Sequence, residues 1–374
     1  MKRLFVLLGI GVCMSTTMTA QAVAEDWKQN FEKLSNEYFD QVYFHYGPTN
    51  ATAAGVHQYD GQLEDFSGKT IDAEIAALKS FEKRIEAIHP DEAKEGFVPR
   101  SDREMMLGNI RSELLTLETI RPWEKNADNY SSACANGAFV LMERKFASPD
   151  ERLRSLVSRE KQMPALLEAA RVNLKDPPHI YTEIAIEQLP DIVSFFEKDV
   201  PLAFADTRDG ALKAKFAQTN AGVIAGLKSY LNWLRTDLLP RSNGDYRIGA
   251  DTFQKKLAYD EMVDTPLDKL LEIGWADLKK NQAHFNQVAK ELEPAKEPAA
   301  VVEQLGSNHP APDHLLDAFR ATFDGLVSFI RANHIVTIPS DVRPIVEETP
   351  PFMRATTFAS MDTPGPFEKN ATEA

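Results

Sequence analysis

Along most of this chain, apolar residues recur at three- and four-residue steps, a spacing that suits a helix and little else. Ile71, Ile75, Leu78, Phe81, Ile85 and Ile88 fall on one side of a 3.6-residue turn. Met105, Leu107, Ile110, Leu114, Leu117 and Ile120 make a second stripe, and Leu315, Phe319, Phe323, Leu326, Phe329 and Ile330 make the last strong one. The starts are marked too. Ser101-Asp102-Arg103-Glu104 and Ser148-Pro149-Asp150-Glu151 read as capping boxes, in which the Ser hydroxyl takes an orphan amide and Glu reaches back. In the second, proline sits where a missing N–H costs nothing. Thr265-Pro266-Leu267-Asp268 is a similar start before Leu270, Leu271, Gly274, Leu278 and Phe285.

Pro164 and Pro190 fall inside helical patterns and are expected to end or kink them. Ala211 to Leu239 reads as one long helix, closed by Pro240 and Ser242-Asn243-Gly244. After Asn333 the helical period vanishes, and Ile, Val, Thr, Phe and Pro dominate. Short extended segments are expected at Ile335–Ile338, Val342–Glu348 and Ala355–Ser360. Prolines 344, 350 and 351 place them at edges or turns. The expected fold is mainly α: an array of many helices, some kinked, with short β segments near the carboxy terminus.

The first residues carry a different message. Met1-Lys2-Arg3 is basic, Leu4 to Met14 is apolar, and Ala20-Gln21-Ala22 and Ala22-Val23-Ala24 are small-residue exits. That order is a secretory leader. The apolar run is too short to span a bilayer, which takes ~20 apolar residues. Val12 before Cys13 argues against lipidation, which needs a small residue there. The reading is therefore a signal peptide over 1–24, a helical domain over 25–333 and a mixed β region over 334–374, with a mature chain in the periplasm or outside the cell and no membrane attachment.

Without Lys2 and Arg3, 40 basic residues face 56 acidic ones, a formal charge of −16 that repels nucleic acid and anionic lipid. Cys134 is then the only cysteine, so no intramolecular disulfide can form.

Candidate chemistry is sparse. No H-E-x-x-H, G-x-S-x-G, P-loop or Rossmann pattern occurs. His309 and His314 are five apart across two prolines, whereas a helical zinc pair needs a spacing of four. Cys134 lacks a nearby base and reads as a small core hydrophobe. His57 and Asp60 gather at a bend, where they can line a cleft or satisfy backbone groups at a helix end, the second being the commoner role. Arg144, Arg152 and Arg159 flank the second capping box, with pairing inside their own helix as the default.

Four stretches make the chain look familiar. They are Ala51-Thr52…Gly55-Val56-His57…Asp60; Glu143-Arg144-Lys145-Phe146-Ala147…Glu151-Arg152-Leu153; Ile248-Gly249-Ala250…Phe253…Lys256-Leu257; and Glu347-Glu348-Thr349-Pro350-Pro351-Phe352-Met353-Arg354-Ala355-Thr356-Thr357-Phe358. The last continues into Asp362-Thr363-Pro364-Gly365-Pro366-Phe367-Glu368 and is the most specific. Through these the chain resembles the exported bacterial family known as domain of unknown function 885. That family looks like the helical zinc peptidases of the gluzincin type, whose members carry a later helix of roughly H-E-x-x-P-G-H. There histidines hold the metal and Glu activates its water.

The resemblance thus implies peptidase ancestry, with the chain expected to stop before the zinc helix. No residue here takes a catalytic or metal-binding role by it, and zinc belongs only to a full-length relative. Thr356, Thr357 and Phe358 alternate as a strand does and are candidates for holding an extended peptide, or else for packing the next helix. The Val346–Phe358 segment is expected to be exposed and prone to aggregate. Two functions stand: the helical amino-terminal part of a zinc-peptidase-like protein, inactive alone, or a non-catalytic exported helical protein that binds peptides or a partner.

Overall fold

The computed structural model describes residues 27–88, 97–354 and 359–368, with side chains from residue 101 onward in the helix that starts at Phe97. By backbone contacts these fall into two units: the described residues of Met1–Val263 with Gly365–Glu368, and those of Asp264–Pro364. The break lies inside the 25–333 helical stretch.

In the first unit, α1 (27–38) passes into a π-helical turn, Phe39–Tyr43. The short helix α2, Pro48–Ala54, starts on its proline and stops at Gly55, whose φ of 90° is a conformation that glycine adopts without a Cβ penalty. Helix α3, Gly68–Glu86, is begun by Ser67, whose hydroxyl accepts from the Thr70 amide at 3.4 Å. Its apolar stripe is the expected one: Ile71, Leu78, Phe81 and Ile85 are buried, and Ile75 and Ile88 pack at the edge. They meet Leu107, Ile110 and Leu114 of α4, Phe97–Leu115, together with Leu34 and Tyr38 of α1. Full burial of each such side chain stabilises the fold by ~1.5–3 kcal/mol.

Helix α4 starts earlier than its capping signal. Ser101 lies inside it, not at its N-cap. Pro99 falls in the first turn, where a missing N–H is tolerated, so Phe97–Arg100 join the helix. Helix α5 is Asp128–Glu143. The box at Ser148 forms as read and opens α6, Pro149–Glu160. Pro164 does mark a break, standing in the first turn of α7, Met163–Asn173. Pro190 does not end its helix: α8, His179–Ser194, runs through it into a π-helical turn, Phe195–Asp199. Asp209 accepts from the amides of Ala211 and Leu212, both at 3.0 Å, and opens α9, Gly210–Trp233. The expected long helix then loosens into a π turn at Leu234–Leu238. Helix α10, Ala250–Asp260, packs on α4. Helices α5, α6, α8 and α9 pack on one another and build the second half of this core.

The second unit holds α11, Leu267–Leu292, α12, Pro298–Gly306, and α13, Leu315–Ala332. The helices form where the stripes place them. Their apolar sides, however, stay open: Trp275 is 55% exposed, and Phe319 and Phe329 are each 58% exposed.

The β segments are a correction. No strand occurs among the described residues, and the one isolated bridge pairs Pro178 with Gly244 in the first unit. Residues 335–338 and 342–348 are irregular and largely exposed. β-prone side chains make a strand only against a second strand, and Pro344 and Pro350 remove the N–H groups that pairing needs. Residues 355–358 lie outside the described residues. No helix among the described residues is long and apolar enough to cross a membrane.

Candidate functional site

Three of the four familiar stretches meet at one place in the first unit. The chain turns after α2 into a 3-10 turn, His57–Tyr59, because Gly55 takes a left-handed conformation that reverses the backbone. His57 is thereby aimed back along α2. Its Nδ1 lies 3.2 Å from Oδ2 of Asp60, and its Nε2 lies 3.3 Å from Oε1 of Glu368. The Nδ1 contact is a hydrogen bond, whereas the Nε2 contact is an ion-pair approach without hydrogen-bond geometry. Phe146 stacks on the imidazole, with ring centroids 3.8 Å apart and planes 21° apart.

A second layer holds these groups. The Thr52 hydroxyl lies 2.7 Å from Oδ1 of Asp60 and accepts from Nη2 of Arg159, also at 2.7 Å. Arg159 is fully buried and donates to the carbonyls of Gly137 at 2.7 Å and Pro48 at 3.2 Å. Burial pulls its pKa down to about 10, while nearby Glu64 and Asp60 hold it up. Glu64 accepts from the amide and hydroxyl of Thr49, at 2.9 and 2.8 Å, and so caps the first turn of α2. Arg152 donates to the carbonyls of Leu141 and Met142 at the end of α5, at 2.7 and 2.9 Å. The expected intrahelical pairing of these arginines is thus corrected for Arg152 and Arg159. Arg152 spends its planar fork on carbonyls of the last turn of α5, and Arg159 joins α6 to carbonyls of α5 and α2, tasks suited to guanidinium.

The four residues 365–368 come to this site from the far end of the sequence. The Phe367 amide donates to the Ala54 carbonyl at 2.9 Å, and the Phe367 ring meets Phe44 edge-on at 5.9 Å. A Cβ on Gly365 would run into the backbone of Ala53 and Ala54. Close approach is possible because both glycines lack one.

Chemically, this is an imidazole between two carboxylates. Asp60 orients the ring through Nδ1, and Nε2 is directed at Glu368. A hydrogen bond from Nδ1 together with an ion pair at Nε2 needs the imidazolium, since the neutral ring has a single N–H and no charge.

The other sequence candidates lie elsewhere. Thr356, Thr357 and Phe358 fall outside the described residues. Cys134 is buried in α5, where burial, reinforced by Glu64, pushes its thiol well above the usual range. His309 and His314 are exposed in the second unit. No group of three or more His, Cys, Asp or Glu that could hold a metal occurs among the described residues. Sequence reading gave no role to Glu368 or Phe146. Their signal was their place inside the familiar stretches, one beside Pro-Gly-Pro-Phe and the other beside the Ser148 box.

Compared with known proteins, residues 48–373 match the family described as "Bacterial protein of unknown function (DUF885)". No curated protein matches the chain. Among solved structures, the chain is similar to a protein from Shewanella oneidensis assigned as a lipoprotein of unknown function, at 23% identity and a TM-score of 0.69. The likeness covers 91% of this chain and 63% of that one, and it bears on the fold alone. With the family match running from α2 to beyond Glu368, the chain belongs to the DUF885 family.

Proposed function

We propose that this chain is the helical part of an exported zinc-peptidase-like protein, with metal and base carried by other polypeptide, and that alone it hydrolyses no peptide. The observation that carries this reading is the open apolar side of α11 and α13. Trp275, Phe285, Phe319 and Phe329 are each about half exposed on helices whose polar residues sit opposite. Contiguous apolar faces of this kind mark surfaces built to be covered. The resemblance to gluzincin-type peptidases names the cover: a further body that bears the zinc helix. Nothing in the mechanism of such a site is assigned to residues of this chain. Export rests on the basic, apolar and small-residue order of the first 24 residues.

A second reading, a non-catalytic exported protein that binds peptides, is favoured by the seat on α2. There residues 365–368 dock through a backbone hydrogen bond and an aromatic contact, as an extended peptide does.

Zinc content and peptide hydrolysis of the purified mature chain test the first reading. The expected result is zinc far below stoichiometric and no chelator-sensitive hydrolysis. Stoichiometric zinc with hydrolysis that a chelator abolishes would overturn it.

A further inference from the structure

We infer that residues 365–368 are a latch on the first unit, and that the imidazole of His57 is its bolt: with both nitrogens protonated the ring holds the latch shut, and with one it lets go.

The seat is built for these four residues. Gly55, with a φ of 90°, presents bare backbone to them, and a Cβ there would lie 2.5 Å from the Glu368 amide nitrogen. Gly365 returns the fit against Ala53 and Ala54. Between these two points the Phe367 amide bonds the Ala54 carbonyl, and Phe367 covers the edge of buried Phe44. All of these contacts are indifferent to protonation. The remaining one is not.

Glu368 turns its carboxylate to His57 Nε2, while Asp60 holds Nδ1. The charged groups around the ring are Asp60 on its own turn, Glu368 on the latch and, one hydrogen bond further through Thr52, Arg159 of α6 with Glu64 beside it. Arg159 is committed to Gly137, Pro48 and Thr52. The imidazolium is therefore the charge set directly between the two carboxylates. Loss of its second proton leaves a nitrogen lone pair facing a carboxylate, and two like charges on either side of a neutral ring. Asp60 is the better-held partner, because it also accepts from Thr52 and belongs to the same turn. Glu368 is the one to leave.

The inference does not depend on the peptidase reading, and its test uses neither metal nor hydrolysis. Hydrogen exchange of the latch amides is followed in the mature chain between about pH 5.5 and about pH 8.5, across the range where histidines commonly change charge, with correction for intrinsic rates. Protection of the Phe367 amide is expected to fall roughly tenfold on going to the higher pH, the loss of about one partly buried ion pair. Glu368→Gln keeps an acceptor without the charge and should flatten this dependence. It sits on the latch, so it leaves the helices folded. Gly365→Ala supplies the open reference at every pH. A pH-independent Phe367 amide in the unsubstituted chain would overturn the inference. So would an undiminished pH dependence in Glu368→Gln, which would assign control to another group.

Discussion

Gly55 and Glu368 touch through bare backbone: a Cβ added to Gly55 would stand 2.5 Å from the amide nitrogen of Glu368, and Gly55 itself has a φ of 90°. Any side chain at position 55 thus meets two penalties, a strained backbone and a blocked seat. Gly55→Ala should destabilise the first unit by about 1–2 kcal/mol from the left-handed conformation alone. It should also make residues 359–368 open to protease. Denaturant unfolding and limited proteolysis would show both. A fully stable variant with a protected segment would mean that the seat is loose.

Arg159 holds three elements together from inside the core, so its removal should be felt globally. Arg159→Ala removes the buried donor shared by the Gly137 and Pro48 carbonyls and the Thr52 hydroxyl and is expected to cost about 2–4 kcal/mol in denaturant unfolding. Arg159→Lys should rescue little, because an ammonium cannot reproduce the planar fork. Equal stability of the Lys variant and the parent would refute the geometric argument.

Glu160 gives the chain a pH-dependent stability whose sign can be fixed. Burial pushes its carboxyl up to about 8, and its donor Thr219 only partly offsets this. Its folded pKa lies above the unfolded value near 4.3, so the folded state binds more protons between them. The stability is full below the unfolded range and is lost progressively as pH climbs toward 8, by a few kcal/mol. Glu74, raised to about 7 by burial and by Glu113, slopes the same way. Glu160→Gln keeps an acceptor for Thr219 and should flatten much of the curve measured by urea unfolding between about pH 5 and about pH 9. An unchanged slope would show that Glu160 is solvated.

The apolar sides of α11 and α13 and the core of α3 and α4 should answer substitution in opposite ways. Ile110→Ala is expected to cost ~2–5 kcal/mol, because Ile110 is fully buried. Trp275→Ser and Phe329→Ser should change stability by no more than about 0.5 kcal/mol and should lower dye binding and self-association. A large loss of stability from either would show that these faces are already covered.

Protein recovered from the host envelope should begin near Val23 or Glu25 by mass spectrometry, where the leader's small-residue exits lie. An intact Met1 peptide in the cytoplasmic fraction would sink the export proposal.

The helices were legible because their period is a local property. Ile71, Leu78, Phe81 and Ile85 declare one buried face without reference to anything else in the chain. Ser148 was legible for the same reason, whereas Ser101 misled because a proline two residues earlier is tolerated in a first turn. The extended segments after Asn333 were misread because strand propensity is only half of a pair. The candidate site was half visible. His57 and Asp60 stood together at a bend, but their third partner lies at the other end of the sequence, and no spacing rule joins them. Arg159 looked like a surface helix charge, since nothing local reveals that α5 and α2 bring the carbonyls of Gly137 and Pro48 within its reach.

The backbone leaves the first unit at Val263 and returns to it at Gly365, and this sets a schedule for synthesis. The groove on α2 is made early, but its occupant is translated about a hundred residues after Val263. At a synthesis rate of roughly 5–20 residues per second, Phe44 and the Ala54 carbonyl wait uncovered for roughly 5–20 seconds. The nascent helical unit must therefore hold its shape with an apolar edge bare, which makes this edge the place where a chaperone, or a neighbouring nascent chain, has its opening.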